Sequence, residues 1–304
     1  MLKESLLSSP EYQELELAHK AVFKRHLRAG PPCISEMTFS NLFMWRHHYQ
    51  PRWREEQGCL VVMVAPEGGP AFGLPPAGEG DLLAAAETLC RDLAGQGHEP
   101  VLRRVGQRLA LALAEEGRFS IELDRANSDY VYLAKDLAGL PGRRFHRKKN
   151  HFNKFVKNYE FAYQPLEAEL IARVLDMQEH WCRLRECAES ADLASEDRAV
   201  VEALTHYDHL DYSGGVILIQ DKVQAFSLGE PLNPETAVVH IEKANPDFDG
   251  IYAAINKLFV AHAWAGMRYI NREQDLGLSG LRKAKESYSP DHMINKYVVT
   301  PDFF

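Results

Sequence analysis

Apolar positions recur along the chain at two spacings, every second residue in some segments and every third or fourth in others. Residues 11–29 keep the helical spacing until Gly30-Pro31-Pro32 ends it. SNLFMWRHHY, Ser40 to Tyr49, opens on a capping residue and carries a dense apolar face. CLVVMV, Cys59 to Val64, reads as a buried strand, followed by the turn PEGGP and a short second strand, AFGLPP. DLLAAAETLCRDLAGQG predicts an amphipathic helix closed by glycine, and RFSIELDRANSDYVYLAKDL mixes strand and loop.

The second half reads more cleanly. PGRRFHRKKNHFNKFVKN is a basic helical segment and YEFAYQPL a strand. LEAELIARVLDMQEHWCRLREC and SEDRAVVEALTHYDHL are helices, the second capped by Ser195. SGGVILIQ and KVQAFSLGEPL form a hairpin turned at Asp221-Lys222. TAVVHIEKAN is a buried strand, GIYAAINKLFVAHAWAG a helix, YINRE a strand, SGLRKAKESY a short helix and MINKYVVTP a last strand.

The order β, α, α, β, β, β, α, β, α, β is that of the GNAT (N-acetyltransferase-like) fold. The predicted class is α+β, with a mixed, mostly antiparallel sheet flanked by helices. CLVVMVAPEGGPAFGLPP in the first half echoes GVILIQDKVQAFSLGEPL in the second. Both run strand, polar turn, Ala-Phe, then Leu beside Gly and Pro, which reads as a chance match or as a duplicated domain. The expected division is an N-terminal GNAT-like domain, 1–138, and a C-terminal one, 139–304, holding the active site.

The chain has 304 residues, 45% hydrophobic and 26% charged, which suits two globular domains rather than disorder. Its formal charge of −8 opposes non-specific binding to nucleic acid or anionic membrane, so any anion site must be local. Five cysteines without a CxxC predict reduced thiols. Cys182 and Cys187, five apart on a helix, do not share a face and make a poor metal pair. MLKESLLSSPEYQELELAHK lacks an apolar leader core, and no window of about 18 apolar residues occurs, so the expected location is cytoplasmic.

Candidate chemistry concentrates in the second half. In HIEKAN, Glu242 and His240 fall on one face of a strand, and a carboxylate at a half-buried strand end suits a general base. The bland reading pairs that Glu with a nearby Arg or Lys. The following ANPDFDG stands where coenzyme A-binding members carry Gln/Arg-x-x-Gly-x-Gly/Ala, so Asp247 and Asp249 are expected to cap the helix whose N-terminus would otherwise face an acyl donor. RRFHRKKNHFNK supplies Arg144, Arg147, Lys148 and Lys149 for phosphates, with Phe145, Phe152 and Phe155 facing the core. Its bland reading is a solvated helix face. Lys243 and Asn245 join the donor-binding set. HYDH, His206 to His209, offers two ligands of the four that zinc takes, so no metal is expected.

Three segments carry a resemblance: YVYLAKDLAGLPGRRFHRKKNHFNKF, VVHIEKANPDFDGIYAAINKLF and YINREQDLGLSGLRKAKESYSPDHMINKY. With SNLFMWR they resemble a bacterial family related to the C-terminal domain of phosphatidylglycerol lysyltransferase, a likeness that covers nearly all of the chain. The membrane-spanning flippase portion of that enzyme has no counterpart in this sequence. The resemblance implies tandem GNAT-like domains, similar to the Fem-type transferases, that move an aminoacyl group from aminoacyl-tRNA to a lipid or small acceptor. It implies Tyr288 as general acid and Glu242 as general base, with strand backbone N–H groups facing the oxyanion. Arg282, Lys283 and Lys285 would hold phosphate, with Gly277 and Gly280 allowing close approach. Asn271, Asp275 and His240 would position the acceptor, and Asp275 has a structural alternative as a cap ion-paired with Arg282. The competing expectations are an acyl-CoA-dependent acetyltransferase and a non-catalytic module for an anionic ligand. No obligatory protein partner is implied.

Overall fold

The computed structural model of the chain describes residues 11–303. Residues 1–10, part of the stretch read above as lacking a leader, and Phe304 lie outside the described residues. The first half runs β1 (Gln13–Glu14), α1 (Lys20–Ala29), α2 (Phe39–Met44), α3 (Arg46–Tyr49), β2 (Arg52–Glu56), β3 (Cys59–Val64), β4 (Phe72–Gly73), β5 (Ala77–Gly78), α4 (Leu82–Gly95), β6 (Leu102–Gly106), α5 (Gln107–Glu115) and β7 (Phe119–Leu123). The second runs β8 (Asp129–Leu133), α6 (Ala134–Gly139), α7 (His146–Asn158), β9 (Ala162–Pro165), α8 (Ile171–Arg185), α9 (Ala191–Thr205), β10 (Ser213–Ile219), β11 (Lys222–Asn233), β12 (Thr236–Ala244), α10 (Ile251–Ala263), β13 (Tyr269–Asn271), α11 (Ser279–Glu286), β14 (His292–Ile294) and β15 (Lys296–Pro301).

Two sheets result. The first has the order β1-β2-β3-β4-β6-β15-β7, with β5 also on β3; the second has the order β14-β8-β13-β12-β11-β10-β9. Each contains one parallel pair, β4 with β6 and β12 with β13, joined through α4 and α10 respectively. This shared pattern makes the chain an α+β tandem of GNAT-like units. By topology β3 corresponds to β11, since each precedes the strand that leads into the crossover helix. The sequence echo aligned β3 with β10 and so runs one strand out of step.

The sheets also exchange strands. β8, encoded before residue 138, pairs with β13 and β14, while β15, at the C terminus, lies between β6 and β7. MINKYVVTP, expected as one strand, is therefore two. Asn295 separates β14 from β15, and each belongs to a different sheet.

The crossing is pinned by charge. Lys296 Nζ, with no exposed side-chain surface, lies 2.6 Å from Glu36 and 2.6 Å from Asp129, both buried. Ser35 Oγ donates to Asp129 over 2.9 Å, and Asn271 Nδ2 donates to its other oxygen over 3.0 Å. Four segments distant in sequence thus meet at one buried ammonium.

Local chemistry explains the remaining boundaries. Asp81 caps α4, accepting from the Leu83 and Ala84 N–H groups. The β10–β11 turn is Gln220-Asp221, at φ 50° and 58°, one residue earlier than expected and of the doubly left-handed type that suits a two-residue hairpin. α8 stops at Glu186, which turns left-handed at φ 52° and folds the chain back on the last helical turn. That reversal brings Cys187 to Cys182, and the two form a disulfide, which corrects the expectation of five reduced thiols. Cys33, Cys59 and Cys90 are free. Thiol titration in denaturant without reductant should therefore find three reactive groups, and five after reduction.

Candidate functional site

A bulge in β12 decides which side chains can meet. Leu228 pairs with Ile241 and Gly229 with Val239, so His240 is an extra residue with no partner on β11. Gly229 is required there, because a Cβ would lie 2.5 Å from the Val238 carbonyl oxygen. The extra residue resets the alternation. His240 and Glu242, expected on one face, serve opposite faces of the second sheet.

His240 turns toward the first half of the chain. Its Nε2 lies 3.1 Å from Glu230 and its Nδ1 2.7 Å from Glu273, with no exposed side-chain surface. Ser40 and Asn41, from α2, contact the same network. Burial alone would lower the His240 pKa, but the two carboxylates outweigh it and lift it to about 9. A group raised above its unfolded value of about 6.5 contributes stability that is complete below that pH. The contribution is lost as pH rises through the folded value. Between about pH 7 and about pH 9 the stability advantage of wild type over a His240→Gln variant should shrink, as paired thermal unfolding would show, while the oppositely signed contributions of the lysines with lowered pKa values cancel in the comparison.

Glu242 turns toward α10. One carboxylate oxygen accepts from Arg272 Nη2 at 2.9 Å and the other from Asn256 Nδ2 at 2.9 Å. Arg272 follows β13, whose parallel register with β12 brings it alongside. Its guanidinium carbon stands 4.7 Å from the centre of the Tyr288 ring, and Lys148 Nζ stands 3.9 Å from the same ring. Lys285, from α11, donates to the Arg272 carbonyl, and Tyr132 donates to that of Lys285. The cluster therefore joins β12, α10, the end of β13, α11 and α7.

Burial first and the nearby Arg272 charge second lower the pKa of Lys148 to about 8, and the same two causes in the same order lower that of Lys285 to about 8. Burial raises the Tyr288 phenol well above its ordinary value, so it stays protonated at neutral pH. Tyr288 is 6% exposed as a residue, and among the described residues its hydroxyl has no hydrogen-bond partner. Two polar atoms nearby are buried without a partner: Arg272 Nη1 and Asn256 Oδ1. A satisfied ion-pair lattice would not leave three groups open around one ring.

The structure thus brings Glu242, Tyr288, Lys148 and Lys285 together. Other expected residues lie elsewhere. Lys243 faces α8 and α9, with Trp181 under its ammonium at 3.7 Å and Glu196 at 2.8 Å. Asn245 donates to Gln224 and accepts from the Asp247 N–H. Arg144 pairs with Asp136 of α6. Asn271 belongs to the Asp129 network. Asp275 is buried among Arg125, Arg282, Tyr130 and the Gly277 N–H. Burial alone would raise its pKa, but those donors hold it well below the carboxylate range. The ion pair with Arg282 is as the structural alternative had it, but Asp275 does not cap α11, whose N-cap position is Leu278 with no side-chain cap bond. Arg147, Lys149 and Lys283 are exposed.

The α10 N-terminus differs from expectation. Its cap is Gly250, left-handed at φ 88°, and neither Asp247 nor Asp249 caps it. Asp249 pairs with Lys154 of α7 instead. A Cβ on Gly250 would lie 2.2 Å from the His151 carbonyl oxygen, so α7 packs directly over this helix end.

Two site residues escaped the sequence reading. Asn256 is the lone polar residue of YAAIN on a helix otherwise buried there, and that isolation was the available signal. Arg272 alternates with Asn271 and Glu273, which placed it alone on the opposite face of the strand.

The sequence profile of the family described as phosphatidylglycerol lysyltransferase, C-terminal, matches residues 30–300. A conserved protein of unknown function from Bacteroides thetaiotaomicron has a similar structure, with TM-score 0.89 and 33% identity, over 95% of this chain and 99% of that one. The C-terminal domain of a putative lysylphosphatidylglycerol synthetase from Agrobacterium fabrum shares the fold at TM-score 0.67 and 11% identity, over 93% and 92%. FemX shares it at TM-score 0.58 and 8% identity, over 95% and 96%. Among curated proteins, an uncharacterised one from Mycoplasmoides gallisepticum is 23% identical over 194 residues, 60% of either chain, so this chain spans about 60% of that relative's length. Among the described residues no helix is long and apolar enough to cross a membrane.

Proposed function

The chain belongs to the phosphatidylglycerol lysyltransferase C-terminal family, and from that premise we propose that it transfers an aminoacyl group from aminoacyl-tRNA to a lipid headgroup or small acceptor. The observation that carries this reading is the protonated, unpartnered Tyr288 phenol whose ring lies against Arg272 and Lys148, with Lys285 on the Arg272 carbonyl. Ester aminolysis or transesterification needs such a set. Cations favour the oxyanion that forms on the carbonyl, and a proton must reach the departing ribose oxygen.

In this scheme an acceptor hydroxyl or amine attacks the ester carbonyl and forms the new C–O or C–N bond. Its proton passes to Lys148, whose pKa of about 8 leaves a neutral fraction at physiological pH. The ester C–O bond breaks, and Tyr288 gives its proton to the leaving oxygen. Lys148 then restores the phenol, so no net proton is lost. Glu242, whose two oxygens are occupied by Arg272 and Asn256, orients both of them rather than acting as base. The exposed Arg147, Lys149 and Lys283 supply a local cationic approach for a polyanion in a chain of net charge −8. The coverage of the α10 N-terminus by α7 weighs against coenzyme A lying there as donor.

Thermal shift tests this reading. Bulk aminoacylated tRNA should stabilise the protein at low salt and lose that effect at moderate salt, because phosphate contacts are strongly salt-dependent. Stabilisation by acetyl-CoA but not by tRNA would replace the donor. No shift with either would favour a binding module for another anion.

A further inference from the structure

The two orphaned atoms beside Glu242 say more about the ligand than the cations do. Asn256 is 1% exposed. Its Nδ2 donates to Glu242, which fixes the amide orientation and leaves Oδ1 as a buried acceptor with nothing to accept. Arg272 uses Nη2 on the same carboxylate and leaves Nη1 as a buried donor with nothing to receive it. Both atoms belong to groups tied to one carboxylate, so they lie within the reach of one small ligand group. That group must carry an acceptor and a donor a few bonds apart.

Resting on the transferase reading above, we propose that Asn256 and Arg272 recognise the aminoacyl head itself: the α-amino N–H donates to Asn256 Oδ1, and the ester carbonyl oxygen accepts from Arg272 Nη1. An unsubstituted acyl group would satisfy Arg272 and leave Asn256 empty. The site would then distinguish aminoacyl from plain acyl donors by chemistry rather than by size, since a buried polar atom left unpaired rejects an analogue far more strongly than a missing methylene does. Arg272 and Lys285 favour the uncharged amine over the ammonium, which keeps the N–H and avoids a further buried cation.

The probes are a non-hydrolysable 3′-aminoacylamido-adenosine and its desamino counterpart, with binding to the full chain measured calorimetrically. Wild type should bind the amino compound about tenfold or more tightly than the desamino compound. Asn256→Leu should abolish that preference by weakening the amino compound more than the desamino compound. Asn256→Gln, which keeps an amide donor for Glu242 and an amide acceptor for the ligand, should retain at least part of it. Equal binding of both compounds by wild type overturns the assignment and leaves the transferase reading intact. Equal loss of both compounds in Asn256→Leu, with the preference unchanged, also overturns it, by giving Asn256 a purely structural role. Should that variant not fold, the ratio in wild type and in Asn256→Gln decides. Binding of neither compound by wild type removes the aminoacyl-tRNA reading and this assignment together.

Discussion

Tyr288→Phe should lower the rate of aminoacyl transfer about a hundred- to a thousandfold while leaving the melting temperature nearly unchanged. The phenol makes no hydrogen bond within the described residues, so its removal breaks no structural contact, and phenylalanine keeps the ring under Lys148 and Arg272. What disappears is the only proposed route for a proton to the leaving oxygen. Substrate affinity should change little, since the hydroxyl acts late in the reaction. The measurement is single-turnover transfer with calorimetric unfolding alongside. A loss of both stability and rate would assign Tyr288 to the core instead, where it also packs against Tyr130 and Tyr132.

Lys296→Met should be strongly destabilising. It removes the ammonium from a site where Glu36 and Asp129 remain buried and face each other. Breaking a buried pair from one side costs about 3–5 kcal/mol, because the remaining charge is uncompensated. For a chain of this size that corresponds to a fall in melting temperature of about 10 °C. The sign of its pH dependence follows from linkage. Without Lys296 the pKa of Asp129, already raised by burial, rises further, while Glu36 keeps Arg104, so the variant should regain stability as pH falls and lose it as pH rises. Combining Lys296→Met with Asp129→Asn and Glu36→Gln should recover part of the loss. An additive further loss from the two amide changes would contradict a charge-based clamp.

The order of elements in the second half was legible because each was a long run with a clear period. The exchange of β8 and β15 was not. Both strands look ordinary in sequence, and what assigns them to opposite sheets is Lys296, whose partners lie 167 and 260 residues away. The faces of β12 were misread for a related reason. A bulge shifts parity by one residue, and only the pairing partner reveals it; Gly229 on the neighbouring strand was the one local sign. The disulfide was hidden by helical spacing, which fails once Glu186 turns left-handed. In the candidate site, the residue types at Glu242, Tyr288, Lys148 and Lys285 were readable from charge and motif. Arg272 and Asn256 were not, because their importance lies in atoms left without partners, a property of packing alone.

The most direct measurement is single-turnover transfer from a pool of tRNA charged with labelled amino acids, in the presence of lipid and small-molecule acceptors. The account predicts that label leaves tRNA for a non-tRNA acceptor in wild type, that the rate falls as salt rises, and that Tyr288→Phe slows it about a hundredfold or more. Label that stays on tRNA while acetyl-CoA is consumed, or equal rates in wild type and Tyr288→Phe, would contradict it.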